Sequence, residues 1–558
     1  MFSSVLIANR GEIAVRIART CRELGVQAIA VYSDQDSGAR HVACADAALH
    51  LPGSTPADTY LDGAAIISAA HAAGAKAVHP GYGFLAEDAD FARAVEAAGL
   101  IWVGPPPEAM ELVADKLSAR RLAEAAGVPC VPGMLDPATS SEDVVAFGAE
   151  HGYPVAVKAA GGGGGRGLKV VRAAHEAEAA YAAARREGLS YFGTDTVYVE
   201  RYLHGPKHME VQILAVPGPD EPMALGVRDC SLQRGYQKLI EESPPPLWAD
   251  RALEMSAAAI ALSKACGYVN AGTVEFLVDD DGRPYFLEVN ARLQVEHTVT
   301  EEVAGIDLVA CQLRIASGEP LGFSGGDIEP RGHAIECRVN AEDPARGFMP
   351  SPGTITAYRE PGGLGVRVDS GYGAGDTVPD AYDSLVAKVI VRGAGRREAR
   401  ARMLRALDDF LLEGIATNIV ALRALVAHEA FCSGRHTTAT LAEDGILGPL
   451  KVSGAPEEPV GAGFVHVGGA PSPLWHPAMA GSTSGRMADE GAVAPMQATV
   501  LEVLVRPGDR IEPGQAVVVL EAMKMVTTVH ATRGGTVTAV PVRAGEAVAA
   551  AQIVAVIE

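Results

Sequence analysis

The chain has 558 residues, too many for one hydrophobic core, so several domains are expected. Apolar residues make up 48% and charged residues 21%, a globular mixture that excludes a disordered chain. The formal net charge of −22 argues against a nucleic-acid or anionic-membrane partner, so a phosphate-bearing substrate would need its own cluster of lysines, arginines and backbone N–H groups.

The eight cysteines are dispersed with no Cys-x-x-Cys spacing, which suggests neither a zinc site nor a disulfide framework and fits a reducing compartment. The apolar run Val5-Leu6-Ile7-Ala8 breaks at Arg10 and Glu12, unlike a signal peptide. No stretch of about 18 apolar residues is present to span a membrane, and a cytoplasmic protein is expected.

Taken in order, Val5 to Ala8 reads as a buried strand, Asn9 to Glu12 as a turn, and Ile13 to Leu24 as a helix ending at Gly25. Gln27 to Tyr32 predicts a second strand and Lys76 to Pro80 a third, the alternation of an open parallel α/β sheet. No Gly-x-Gly-x-x-Gly follows the first strand, so a dinucleotide reading is weak. The run His79-Pro80-Gly81-Tyr82-Gly83-Phe84-Leu85 is a glycine-rich turn after a strand, where such sheets tend to bind ligands; a purely structural turn would look the same.

From Gly152 the pattern changes to hairpins. Tyr153 to Lys158 and Gly167 to Val171 read as strands around the five glycines Gly161 to Gly165. A glycine run is most often a flexible linker, but between two short strands it also suits a mobile loop whose N–H groups close on phosphates. It is no P-loop, since no Gly-Lys-Ser/Thr follows. Lys158 would supply a point charge for phosphate oxygens. Val197 to Leu203 and His208 to Leu214 follow, and Glu200 to Leu203 form either a plain loop or a connector whose backbone pairs with an adenine edge.

Gly272 to Val278 and Arg283 to Asn290 flank the turn Asp279 to Gly282. That hairpin can set Glu275 nearly opposite Glu288, with Asn290 on the same face by the two-residue strand period. Two adjacent carboxylates sit either on a solvated edge or around a cation; the apolar neighbours favour the cation, and hard oxygen ligands suit Mg²⁺. Asn290 to His297 is dense in polar residues, which fits a surface loop or, beside a metal–phosphate site, anion binding and proton transfer. Ala334 to Asn340 is a strand carrying Arg338 in an apolar setting, a helical stretch runs from Asn418 to about residue 447, and Lys451 to Glu490 reads as a semi-flexible linker.

The C-terminal stretch is internally duplicated. At a constant offset of 37, Thr499 to Glu521 matches Thr536 to Glu558, which predicts a small β-sandwich of two quasi-equivalent halves. Ala522-Met523-Lys524-Met525 joins the halves, so Lys524 is expected on an exposed turn. Most single lysines are merely solvated; this one resembles the biotin attachment site of biotin carboxyl carrier domains, as does Ala494-Pro495-Met496 upstream.

The remaining motifs carry one resemblance along residues 1 to about 447: Asn9 to Ala14, His79 to Leu85, Gly161 to Gly167, Arg228-Asp229-Cys230-Ser231, Gln237-Lys238, and Glu288 through His297. In this order they resemble biotin carboxylase, an ATP-grasp enzyme. With the carrier, the chain looks like the α subunit of a two-subunit acyl-CoA carboxylase of the actinobacterial type. The resemblance implies an α/β ATP-grasp biotin carboxylase over 1–447: a parallel α/β domain to about 115, an ATP-grasp part at about 116–330 with a glycine-loop lid at about 130–204, and a C-terminal α+β part. A flexible linker at 448–491 and an all-β biotinyl barrel-sandwich domain at 492–558 follow.

Carried over residue by residue, it implies that Lys116, Lys158, Gly163, Gly164, Gly165 and His208 hold ATP phosphates, while Glu200, Arg201, Tyr202 and Leu203 contact adenine. Gln233 and Tyr236 join the nucleotide site, Tyr236 standing where the family carries histidine or asparagine. Glu275, Glu288 and Asn290 would ligate Mg²⁺ or Mn²⁺, the first two also lying at ATP. Lys238, Arg292, Gln294 and the Val295 backbone would bind bicarbonate, Glu296 would be the general base, Arg338 would stabilise the biotin enolate and with Tyr82 bind biotin, which is carried on Lys524, and Lys238, Arg292, Glu296 and Arg338 would be the catalytic set. The implied activity is a ligase reaction in which ATP and bicarbonate form carboxyphosphate and the carboxyl group moves to biotin. No carboxyltransferase domain is recognisable, so the expected partners are a separate carboxyltransferase β subunit in a hetero-oligomer and a biotin protein ligase. A non-catalytic biotin carrier or an ATP-grasp ligase with another acceptor are the alternatives.

Overall fold

The computed structural model describes residues 1–161, 167–218, 220–443, 446, 464–467, 470–473, 491–495, 497–522, 525–549 and 552–558. The first unit alternates strands and helices as its apolar spacing requires: β1 (Ser4–Ile7), α1 (Gly11–Glu23), β2 (Gln27–Tyr32), β3 (Ala47–His50), β4 (Ala77–His79) and β5 (Ile101–Trp102). The strands form one parallel sheet in the order β3-β2-β1-β4-β5. The order reverses between β1 and β4, and at such a switch point the loops after the strands part to leave a crevice. Asn9 spans it, its Nδ2 donating to Pro80 O at 2.7 Å and Tyr82 O at 2.8 Å. Gly81 (φ +65°) must be glycine there, because a Cβ would lie 2.9 Å from Asn9 Nδ2.

Three antiparallel strands, β6 (Val155–Ala159), β7 (Leu168–Val171) and β8 (Val197–Arg201), make a small sheet in the order β7-β6-β8. With the helices Ser141–His151 and Ala177–Phe192 it encloses its own core, including Val144, Val157, Val171 and Val199. Next, β9 (Lys207–Ala215), β10 (Met223–Arg234), β11 (Gln237–Ser243), β12 (Asn270–Val278), β13 (Pro284–Asn290) and β14 (His333–Asn340) join the strands Leu385–Gly393 and Val366–Ser370. All eight form one sheet in the order β13-β12-β9-β10-β11-β14 and then those two. It crosses residue 330, expected to separate two parts, because β11 pairs with β14 from Ile240↔Cys337 to Ser243↔Ala334. The helical stretch expected to about residue 447 is instead three short helices, Ile419–Ala427, Glu429–Cys432 and Thr440–Glu443, and residue 447 lies outside the described residues.

Within the expected linker, Phe464–Val467 pairs antiparallel with Ala470–Pro473; most of that segment lies outside the described residues. The C-terminal part has two four-stranded sheets. The offset of 37 seen in the sequence is also one of register: Val519 faces Thr528, and Val556 faces Gly491. Each half lends its two-residue strand to the other, Arg510–Ile511 pairing with Gly535–Ala539 and Ala547–Val548 with Ala498–Val503. The buried residues of both sheets, such as Val500, Val537, Leu520 and Ile557, fill one core.

One buried pair fastens the first sheet to the segment around Tyr372 and Tyr382. Arg10 donates from Nε and Nη2 to Asp36 at 2.7 and 2.6 Å and from Nη2 to Tyr372 Oη at 3.1 Å, while its guanidinium lies 4.5 Å from the ring centre of Tyr382. Burial raises the Asp36 carboxyl, but Arg10 more than reverses this and holds it below its ordinary value. The pair's stabilisation is therefore present above the ordinary aspartate range and is lost as pH falls through the lowered folded value. Arg10→Met should cost about 3–5 kcal/mol by stranding the Asp36 charge, read as a lower urea midpoint followed by tryptophan fluorescence.

Candidate active site

The site is built on one row across the central sheet. In register, Glu288 of β13 faces Glu275 of β12, which faces Glu210 of β9, which faces Arg228 of β10. Like charges directly opposite one another repel, so three consecutive carboxylates require cations on every side. Arg228, wholly buried, caps one end of the row. Its Nε donates to Glu210, Nη1 to Gln212 (2.6 Å) and Thr300 (2.9 Å), and Nη2 to Thr273 (3.0 Å) and Gln294 (2.8 Å), which uses all five guanidinium N–H groups. Lys116 donates to Glu288 at the other end.

Lys238 of β11 reaches over the middle of the row, its Nζ 2.6 Å from Glu210, 2.9 Å from Glu275 and 2.6 Å from Glu296. Glu275 also accepts from Asn290 (2.9 Å) and Gln294 (2.8 Å) and pairs with His208 Nε2 (2.8 Å). Burial disfavours the His208 imidazolium, but Glu275 outweighs it and raises the pKa. Gln233 lies 3.3 Å from His208 Nδ1 and steadies the ring. Glu275 and Glu288 themselves offer carboxylate oxygens and Asn290 an amide oxygen, a set that fits a hard divalent cation, with His208 beside Glu275 and Glu210.

The polar run after β13 is buried rather than a surface loop, with Gln294, Glu296 and His297 each no more than 3% exposed. It folds inward because most of its polar groups have partners: Gln294 donates to Glu275 and accepts from Arg228, and His297 Nδ1 bonds the Gln294 carbonyl. Glu296 accepts from Lys238 and from Arg338 Nη2 (2.8 Å), and Arg338 Nε also donates to Glu241. Burial alone would raise the Glu296 carboxyl; Lys238, Arg338 and Arg228 together hold it well below the carboxylate range. Burial pushes Glu241 up to about 8, with Arg338 opposing. Arg292 is oriented by Glu87 (2.9 Å) and by Asn290 Oδ1 (3.0 Å).

Lys158 donates to Glu200, as does Arg120 (3.1 Å), so the Glu200 side chain fixes the lid lysine. The expected free connector Glu200 to Leu203 is shorter than its sequence suggested. β8 continues through Arg201, whose N–H donates to Pro132 O (2.8 Å), and Tyr202 N–H donates to Pro154 O (3.1 Å). Gly235 (φ +53°) and Tyr236 (φ +69°) form the two-residue turn between the paired Arg234 and Gln237. Burial, then Tyr202, raise the Tyr236 phenol, so both rings belong to one neighbourhood. Tyr82 Oη is buried with no hydrogen-bond partner among the described residues, an orphaned donor that fits a polar ligand at the crevice. Gly163, Gly164, Gly165 and Lys524 lie outside the described residues; Ala522 pairs with Met525 across the hairpin in whose connection Lys524 falls.

Glu210, Arg228, Glu87, Glu241 and Arg120 were not among the expected site residues. Glu210 was legible in part, since His208, Glu210 and Gln212 alternate along one strand face.

Sheet, lid and charged row define an ATP-grasp ligase. Family models match in order: "Biotin carboxylase, N-terminal domain" over 1–110, "Carbamoyl-phosphate synthase L chain, ATP binding domain" over 115–323, "Biotin carboxylase C-terminal domain" over 336–443 and "Biotin-requiring enzyme" over 487–557. The biotin-dependent acyl-coenzyme A carboxylase alpha3 subunit of Mycobacterium leprae is 44% identical, covering 100% of this chain and 98% of the relative. Biotin carboxylase 1 of Bacillus subtilis is 47% identical over 80% of this chain and 100% of its own length. Among solved structures, the biotin carboxylase domain of Hydrogenobacter thermophilus 2-oxoglutarate carboxylase, with MgADP, ADP and bicarbonate, superposes with a TM-score of 0.78 at 42% identity, covering 81% of this chain and 100% of that one. The Campylobacter jejuni biotin carboxylase–βγ-ATP complex gives 0.77 at 42% identity, covering 79% and 99%. The chain belongs to the biotin carboxylase family and carries a biotin-requiring carrier domain on the same polypeptide.

Arg228→Lys keeps the charge but offers three N–H donors to five acceptors. With at least two buried acceptors unmet, it should lose about 2–6 kcal/mol, measured by urea denaturation.

Proposed function

We propose that this chain uses ATP and bicarbonate to carboxylate biotin on Lys524 of its own carrier domain and passes the carboxyl group to a separate carboxyltransferase β subunit. That subunit would act on a short-chain acyl-CoA, acetyl-CoA or propionyl-CoA. The observation that carries the reading is Glu296, a buried carboxylate kept ionised between Lys238 and Arg338.

Bicarbonate would be held by Lys238, Arg292, Gln294 and the Val295 backbone. Glu296 takes its proton as a bicarbonate oxygen attacks the γ-phosphorus of ATP; the bond to the β-phosphate bridging oxygen breaks, and ADP leaves carboxyphosphate behind. Lys116, Lys158, His208 and Gly163 to Gly165 would hold the phosphates, with Glu200 to Leu203, Gln233 and Tyr236 around the nucleoside. Mg²⁺ or Mn²⁺ held by Glu275, Glu288 and Asn290 would supply charge to the phosphate oxygens. Carboxyphosphate would break its C–O bond to give CO₂ and phosphate, the phosphate would take the N1′ proton of biotin, and that nitrogen would accept the CO₂, with Arg338 and Tyr82 positioning biotin. The relatives described above support this reading: one is named an acyl-coenzyme A carboxylase subunit, and one was solved with MgADP and bicarbonate. A cytoplasmic setting, loading by a biotin protein ligase and a hetero-oligomer with the β subunit complete it; all eight cysteines are free, as a reducing compartment requires.

The purified chain should cleave ATP only with bicarbonate present, faster on adding free biotin; absence of that dependence would sink the reading. Glu296→Gln should lower kcat by about 10²–10⁴-fold. Because the Glu296 pKa is lowered, the base stays ionised from neutrality down to the ordinary carboxylate range, so it should contribute no acid limb to kcat/KM between about pH 5 and 7. Lys524→Arg should remove streptavidin binding, and a variant that still binds would refute the attachment site.

A further inference from the structure

Lys388 lies in the middle of the strand Leu385–Gly393, is 0% exposed, and is used by no step of the reaction described above. It faces Arg338 on one side and Asp369 on the other in the strand register. Its Nζ donates to the Val295 carbonyl at 2.9 Å, lies 3.2 Å from Glu12 Oε1 of α1, and sits 5.9 Å from the ring centre of Tyr82. One ammonium thus touches the first helix, the glycine-rich turn and the bicarbonate loop from behind.

Burying an ammonium opposite an arginine is costly on both counts, so packing alone does not account for it. Burial would strip its proton, but Glu12, Glu336 and Asp369 outweigh burial, and the group stays charged. The Val295 carbonyl and the Glu296 N–H belong to one rigid peptide plane. Fixing that carbonyl fixes the direction in which Glu296 leaves the chain and limits the rotation about the Val295 Cα that would turn the Val295 N–H away from bicarbonate.

We propose that Lys388 is a positioning residue for bicarbonate activation, its ammonium clamping the Val295–Glu296 peptide so that the Glu296 carboxylate meets Lys238 and Arg338 and the anion site stays formed. The inference rests on the carboxylase reading of the site. The alternative is a structural ion pair with Glu12 that only joins two parts of the chain.

The test compares bicarbonate-dependent ATP cleavage by the biotinylated full chain as wild type, Lys388→Met, Lys388→Arg and the double variant Glu12→Gln/Lys388→Met. The double variant removes both charges and keeps both volumes, so it remains informative if Lys388→Met alone does not fold. Clamping predicts that both methionine variants raise the KM for bicarbonate about tenfold or more while the KM for ATP stays within about twofold. Lys388→Arg, which still offers an N–H to Val295, should recover part of the loss. A double variant with wild-type bicarbonate KM would reduce Lys388 to the partner of Glu12 and overturn the proposal. If the wild type itself shows no bicarbonate dependence, the carboxylase reading fails first and the clamp falls with it.

Discussion

Three carboxylates in one row across a sheet, Glu288, Glu275 and Glu210, form the arrangement on which the rest of the site depends. Left alone they would repel one another. The chain instead surrounds them with positive nitrogen: Arg228 and Lys116 at the ends, Lys238 above and His208 beside. Lys238 bonds further to Glu296, so the charge pattern spreads outward through Glu296, Arg338 and Glu241. The result is a site whose charges are fixed before any ligand arrives, the preorganisation that stabilises developing charge in phosphoryl transfer.

The eight-stranded sheet makes that network possible. Glu275 and Arg338 come from strands on either side of β9, β10 and β11, in parts of the chain that the sequence suggests are separate. Because β11 and β14 pair directly, Glu296 can bond to a lysine from one and an arginine from the other. The strands β6 to β8 belong to a different sheet with its own core, and Lys158 and Glu200, paired with each other, both stand on it.

Local pattern made some of this legible. That a hairpin brings Glu275 and Glu288 close was visible in the residues themselves, but their direct pairing depends on a bulge between the pairs Phe276↔Phe286 and Glu275↔Glu288 that turn length and a two-residue period do not predict. β2 was legible to the residue because it is a continuous apolar run between polar ends. The pairing of β11 with β14 was not, because nearly a hundred residues separate partners that carry no local signal of each other. Arg228 appeared in the sequence only as part of a motif; its five partners come from four other segments. The run from Asn290 to His297 was ambiguous for the same reason: whether polar residues face water or one another depends on contacts the local sequence does not contain.

The exchange of short strands in the C-terminal domain has a geometric consequence. Two interlocked halves with one register are related by an approximate twofold rotation, as though a dimer had been joined into a single chain. Under that rotation the turn between Ala522 and Met525 has as its counterpart the place where the domain's first strand enters and its last strand ends. The hairpin end at Ala522 and Met525 and the strand ends at Gly491 and Ile557 therefore belong to opposite poles of the domain. With the strand Ala516–Ala522 spanning about 20 Å at about 3.4 Å per residue, the turn it leads into stands a full strand length from the edge at which the domain's first and last strands pair.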